Sequence, residues 1–257
     1  MSKADELRLL RDAIKSFPDA LAVWSADGRL IACSDLYARL SAAAPASRDA
    51  TEYQSADGRW LRRTLRRLEG GGSVELIADI SELRRAEQAS RFLAYHDTLT
   101  GLPNRRLLDD RLRQAIRLAQ RRDRMVAALL IRVDDFRHVN DTLGQGAGDA
   151  VLREVAQRLA ASVRKADTLA RASADEFALV VCDLKDEGDC RLVAAKLLEA
   201  LAPEFRVGGR RLRLAVSVGV SLFPSDGGDG EALLRNADAA TYRAKQLGRN
   251  QIRFFGR

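Results

Sequence analysis

The nine residues from Met125 to Val133, MVAALLIRV, constrain the fold more than any other stretch of the chain. Successive side chains of a strand point to opposite sides, so the apolar run from Met125 to Ile131 leaves neither face fit for water. Such a strand belongs inside a sheet that is covered on both faces. Its exit is unusual. The run leads into Asp134 and Asp135, and carboxylates at the end of an apolar strand are a common way to hold a metal ion. Yet Arg132 stands just ahead of them. Either the arginine is an ordinary surface residue, or it occupies a position where chemistry calls for a carboxylate.

The neighbouring segments supply the covering helices. RRLLDDRLRQAIRLAQRR places Leu108, Leu112, Ile116 and Ala119 on one helical face. GDAVLREVAQRLAASVRK does the same through Val151, Val155, Leu159 and Val163. EFALVVCD and RLAVSVGVSLF read as further strands. CRLVAAKLLEAL and GEALLRNADAATYRAKQLG read as further helices, the last ended by Gly248. From Asp97 onward the expectation is a central sheet of mixed pairing with helices packed on it.

The residues before Asp97 differ in pattern. A helix is expected from Leu7 to Ser16, followed by two short strands joined at Asp27-Gly28. After the loop AAAPASRDA come DGRWLRRTLRRL, three glycines and SVELIADI, with Val74, Leu76 and Ile80 apolar on one side. This order predicts a small antiparallel sheet in an α+β domain. SELRRAEQASRFLAYHD then reads as a connecting helix with Ser81 as its N-cap. Its short stripe of Leu83, Ala86, Ser90 and Leu93 fits equally a coiled coil between protomers and a solvated linker helix. The expected division is 1–82, 83–96 and 97–257.

A net charge of +7 raises the question of nucleic acid. The excess is mostly arginine spread through an alanine-rich chain, and the dense run RWLRRTLRRLEG lacks an aromatic stacking platform, so DNA is not an expected partner. Cys33, Cys182 and Cys190 are odd in number and have no ligand spacing, which argues against a zinc or disulfide framework. No apolar run approaches the roughly 20 residues of a membrane span, and the polar start is unlike a signal peptide. A soluble cytoplasmic protein without membrane association is expected.

Two resemblances sharpen these expectations. PDALAVWSADGRLIACS resembles the entry of a PAS domain, and IADISELRRAEQ resembles the strand and helix by which PAS domains hand over to an output domain. In the second part, four segments match one family in order and spacing. They are DTLTGLPNRR, VDDFRHVNDTLGQGAGDAVL, VRKADTLARASADEFALVV, and SVGVSLFPSDG with ADAATYRAKQLGRNQI. Together they resemble the GGDEF domain of diguanylate cyclases. The resemblance implies a palm-like domain and the joining of two GTP molecules, held in facing protomers, into cyclic di-GMP.

That chemistry requires deprotonating a ribose hydroxyl and neutralising phosphate charge, and two divalent ions about 3.5–4 Å apart do both. Magnesium needs hard oxygen ligands. In the family one carboxylate comes from the end of the first strand and another from the third position of the GGDEF turn. Here the turn reads Ser173-Ala174-Asp175-Glu176-Phe177, with both glycines replaced. On the strand, the family's metal aspartate aligns with Arg132. Phe136, Asn140, Asp141, Gly144 and Asp149 hold the register. No catalytic residues and no metal site are therefore expected, Asp175 and Glu176 being remnants, and magnesium would matter only in a functional active site.

By the same resemblance, Asn140 and Asp149 align with guanine-reading positions and Lys245 and Arg249 with a phosphate-binding pair. Arg132 is expected to supplement the phosphate pair as a fixed cation. Each residue alone also fits an ordinary role: a capping asparagine, a helix-start aspartate, a solvated basic face. Arg164 and Asp167 stand where the family's inhibitory site carries an arginine and an aspartate that bind cyclic di-GMP. The ordinary alternative is a surface ion pair at a solvated helix end. The expected protein is a non-catalytic GGDEF regulator of cyclic di-GMP signalling, with GTP as a further ligand. It would form a homodimer through the PAS-like domain and linker helix, with a protein partner in the same signalling. Two alternatives remain: an active cyclase tolerating SADEF, and a nucleotide-free dimerisation or docking module.

Overall fold

A computed structural model describes residues 2–41 and 51–257. The chain divides into two compact units, Met1–Arg91 and Phe92–Arg257. The expected loop AAAPASRDA lies outside the described residues.

The first unit opens with helix α1 (Lys3–Lys15), followed by strands β1 (Ala20–Trp24) and β2 (Leu30–Cys33), helix α2 (Asp35–Ser41), and strands β3 (Glu52–Gln54), β4 (Trp60–Arg67) and β5 (Ser73–Asp79). The five strands form one antiparallel sheet in the order β2-β1-β5-β4-β3. Helix α1 begins four residues earlier than the apolar pattern suggested. Ser2 and Asp5 form a reciprocal capping box that satisfies the first backbone donors, and no residue of the helix is buried. Strand β3 has three residues, too few to show a period. The small core joins Ala20, Ala22, Tyr37, Leu40, Tyr53, Leu61 and Ile77. Beside it lies a buried carboxylate, Glu75, which accepts from the Trp24 indole (3.0 Å) and the Tyr37 hydroxyl (2.8 Å) and pairs with Arg63 (2.8 Å).

Helix α3 (Ser81–Tyr95) runs through the boundary between the units. Ser81 is its first residue and not its N-cap. The Asp79 carboxylate accepts from the Ser81 amide (2.9 Å), while the Ser81 hydroxyl accepts from the Trp60 amide (2.9 Å).

The second unit continues with α4 (Arg105–Arg122), β6 (Met125–Val133), α5 (Phe136–Leu143), α6 (Gln145–Ser162), β7 (Thr168–Arg171), β8 (Glu176–Leu184), α7 (Glu187–Leu201), the hairpin β9 (Phe205–Val207) and β10 (Arg210–Leu212), β11 (Val216–Phe223), α8 (Gly230–Gln246) and β12 (Ile252–Phe254). The main sheet has the order β12-β11-β6-β8-β7; β11 and β12 are parallel and the other pairs antiparallel. Strand β6 is central, and its two faces feed two cores. Ala127, Leu129, Ile131 and Val133 pack with α6 and α7, whereas Val126, Ala128 and Leu130 pack with α4 and α8. This alternation places Arg132 on the α8 side. Gly219 sets the approach of α8 to β11, since a Cβ there would lie 2.1 Å from the Ala237 carbonyl oxygen.

Candidate functional site

The end of β6 and the β7–β8 turn form one edge of the sheet. Arg132 lies opposite Glu176 in the antiparallel register. Its guanidinium forms an ion pair with the Glu176 carboxylate and reaches Asp238 on α8 at 3.1 Å. Burial works against the Arg132 charge, but the Glu176 bond and the nearby Glu176, Asp238 and Asp175 charges outweigh it and raise its pKa. Among the described residues no group of three or more histidine, cysteine, aspartate or glutamate side chains is arranged to hold a metal ion. The residues at this position do not fit a divalent cation: a cation of the chain's own already stands between the two carboxylates. Asp238 went unnoticed in the sequence, where it is one more polar residue on an amphipathic helix.

The β7–β8 turn is tied down from two sides. The Val133 amide donates to the Asp175 carbonyl at 3.1 Å. Arg171 donates to the Ala174 carbonyl (2.7 Å) and pairs with Asp97 (3.1 Å). Asp97 also accepts from the Thr100 amide (2.9 Å) and hydroxyl (2.7 Å). Burial pushes the Asp97 carboxyl up, yet the Thr100 and Arg171 bonds together hold it below its usual range.

Lys245 and Arg249 converge on one turn, although not as two residues of one helical face. Helix α8 stops at Gln246, and Arg249 has a left-handed backbone, φ 60°. Lys245 lies 3.5 Å from the buried Asp134 carboxylate, which also accepts from the Ser217 hydroxyl (2.9 Å). Arg249 pairs with exposed Asp135 at 2.9 Å. Both cations are thus already paired within the chain. Asn140 sits inside α5 and is not a cap; Asp149 sits inside α6. Gly148 lets the two helices meet, because a Cβ there would fall 1.9 Å from Asn140 Oδ1. The Asn140 amide therefore rests beside the residue preceding Asp149.

Arg164 and Asp167 occupy the corner between α6 and β7. Arg164 is exposed and makes no salt bridge among the described residues. Asp167 is half-buried, and its carboxylate accepts from the Cys182 amide on β8 at 3.2 Å. Burial raises the Asp167 pKa against the opposing backbone hydrogen bonds and the Arg164 charge. The geometry differs from the alternative of a solvated ion pair at a helix end: Asp167 is drawn toward β8 by a backbone donor, and Arg164 is left facing a groove of about 650 Å³. Arg111 and Leu118 of α4, His96 and Cys182 also line it. None of these was assigned to a binding site in the sequence, since they come from separate segments with no shared motif.

The family model described as the GGDEF domain of diguanylate cyclases matches residues 94–251. The chain is 44% identical over 175 residues to MucR of Pseudomonas aeruginosa, a bifunctional diguanylate cyclase and cyclic di-GMP phosphodiesterase. That match covers 68% of this chain and 25% of the relative, so the chain spans about a quarter of MucR's length. Among solved structures, the GGDEF domain of TpbB from Pseudomonas aeruginosa superposes with a TM-score of 0.61 at 34% identity, over 63% of this chain and 94% of that one. The coiled coil and GGDEF domain of DgcB from Caulobacter crescentus, in complex with cyclic di-GMP, gives a TM-score of 0.61 at 26% identity over 68% of this chain and 93% of that one.

Proposed function

The chain belongs to the diguanylate cyclase GGDEF domain family, and from that membership we propose that it receives cyclic di-GMP instead of making it. The observation that carries this reading is the Arg132 guanidinium held between Glu176 and Asp238. Cyclisation needs divalent cations beside the triphosphate. A guanidinium in their place cannot coordinate the ribose hydroxyl and lower its pKa as a divalent ion does, and it already occupies the two carboxylates a metal ion would need. Ser173 and Ala174 add side chains to the turn that the family keeps bare.

The ligand is taken in the groove at the α6–β7 corner. Arg164, exposed and without an ion pair among the described residues, is available for a bidentate contact to guanine O6 and N7. Asp167, oriented by the Cys182 amide, accepts from guanine N1 and N2. GTP is a second ligand, read by Asn140 and Asp149. Its phosphates would have to displace Asp135 from Arg249, which is cheap because an exposed ion pair contributes about 0–1 kcal/mol. Displacing the buried Asp134 from Lys245 is harder. The first unit is proposed to be a PAS-like input domain, a reading supported by its five-stranded antiparallel sheet and by α3, which continues from it into the second unit. Assembly as a homodimer through this domain and α3, and a protein partner in cyclic di-GMP signalling, belong to the same proposal.

Calorimetric titration of the whole chain with cyclic di-GMP and with GTP, with and without magnesium, tests the reading. Cyclic di-GMP binding without turnover of GTP supports it. Turnover would establish an active cyclase, and binding of neither nucleotide would establish a docking module.

A further inference from the structure

The groove beside Arg164 has charged and apolar walls. A guanine base needs one thing more, a flat surface on which to stack, since base edges alone are satisfied by water as well as by protein. Among the residues lining the groove, His96 carries the sole aromatic ring. That ring is half-exposed and firmly held. It stacks on Phe92 with centroids 4.3 Å apart and planes 1° from parallel. Its Nδ1 lies 3.3 Å from the Phe92 carbonyl oxygen, and its amide donates to the same oxygen at 2.8 Å. The backbone of His96 itself forms an isolated antiparallel bridge with Pro103. A ring immobilised in this way loses little freedom when a base settles on it, which is the condition for an effective platform.

We infer that His96 is the stacking platform of the groove, taking a guanine base of cyclic di-GMP whose edge is read by Arg164 and Asp167. The inference rests on the groove reading proposed above and adds to it the residue that holds the base's face. His96 directly follows the last turn of α3, so an occupied groove seats its ligand on the residues that end the connecting helix.

The test is calorimetry with cyclic di-GMP on the full chain, comparing wild type, His96→Ala, His96→Phe and, as a control, His138→Ala, whose side chain does not line the groove. His96→Ala is expected to weaken binding at least about tenfold, close to 1.4 kcal/mol. His96→Phe keeps a ring and is expected to stay within about threefold, and His138→Ala is expected to match wild type. In the His96→Trp variant, ligand should quench indole emission beyond any change seen in wild type, which carries Trp24 and Trp60. Thermal unfolding of each variant separates loss of fold from loss of affinity. If His96→Ala does not fold, the phenylalanine and tryptophan variants carry the test. Wild-type affinity in folded His96→Ala, or a folded His96→Phe as weak as the alanine variant, overturns the platform alone. Failure of wild type to bind at high micromolar ligand overturns the groove reading and the platform with it.

Discussion

Arg132 and Glu176 face each other across adjacent antiparallel strands, and their side chains form an ion pair on the side of the sheet covered by α8. With Asp238 closing the other flank at 3.1 Å, both carboxylates are engaged by the chain's own guanidinium at the edge where β6 meets the β7–β8 turn.

The protein should form no cyclic di-GMP from GTP and magnesium. Chromatographic product analysis against a no-protein control checks this. Product that disappears in Asp175→Ala would show that the remnant carboxylate still works.

GTP binding, where measured, should depend little on magnesium, because Arg132, Lys245 and Arg249 are the chain's own cations. The dissociation constant is expected to change less than about tenfold when chelator replaces magnesium, a difference under about 1.4 kcal/mol. A larger loss would mean that a metal ion still organises the phosphates.

Arg164→Ala should weaken cyclic di-GMP binding by about 1.5–3 kcal/mol, the range of a charge-assisted hydrogen bond. Asp167→Ala should weaken it too, with some loss of stability, since its carboxylate also accepts from the Cys182 amide. Arg106→Ala breaks an arginine–aspartate spacing of the same kind outside the groove and should leave affinity unchanged. Arg106 is stacked over Tyr95 at 5.0 Å instead. Equal affinities for wild type and Arg164→Ala would reduce the pair to surface decoration.

Asp97→Asn should destabilise the second unit by about 1–2 kcal/mol, through loss of charge-assisted bonds from Arg171 and Thr100. The folded protein holds the Asp97 carboxyl below its ordinary 3.8, so its contribution is present above that value and fades as pH falls through the depressed one. Denaturant melts at pH 7 and near pH 3 should therefore show the two proteins converging in acid. A gap that persists unchanged would contradict the assignment.

Glu75→Ala should cost the first unit about 1–3 kcal/mol, because it removes the carboxylate that accepts from the Trp24 indole and the Tyr37 hydroxyl and pairs with Arg63. Unfolding followed by Trp24 emission checks this directly, as the Trp24 indole donates to the same carboxylate. A loss below about 1 kcal/mol would show that solvent reaches Arg63 readily.

Local pattern determined much of this protein. The apolar run from Met125 to Ile131 required a strand covered on both sides, and helix periods placed Leu108, Leu112, Val151 and Val155 in the core where they are buried. The register that aligns Arg132 with the family's metal aspartate was read from the sequence alone, since the matching residues lie within one short segment. Tertiary structure decided what Arg132 does there. Its partners lie 44 and 106 residues away, and hydrophobic period reports which face is buried without saying which distant charge meets it. The same limit hid the left-handed turn that brings Arg249 to Asp135, the drawing of Asp167 onto β8, and the groove that gathers His96, Arg111, Arg164 and Cys182. Chain direction and backbone hydrogen bonds across the sheet set these meetings, and they exist only once the strands have paired.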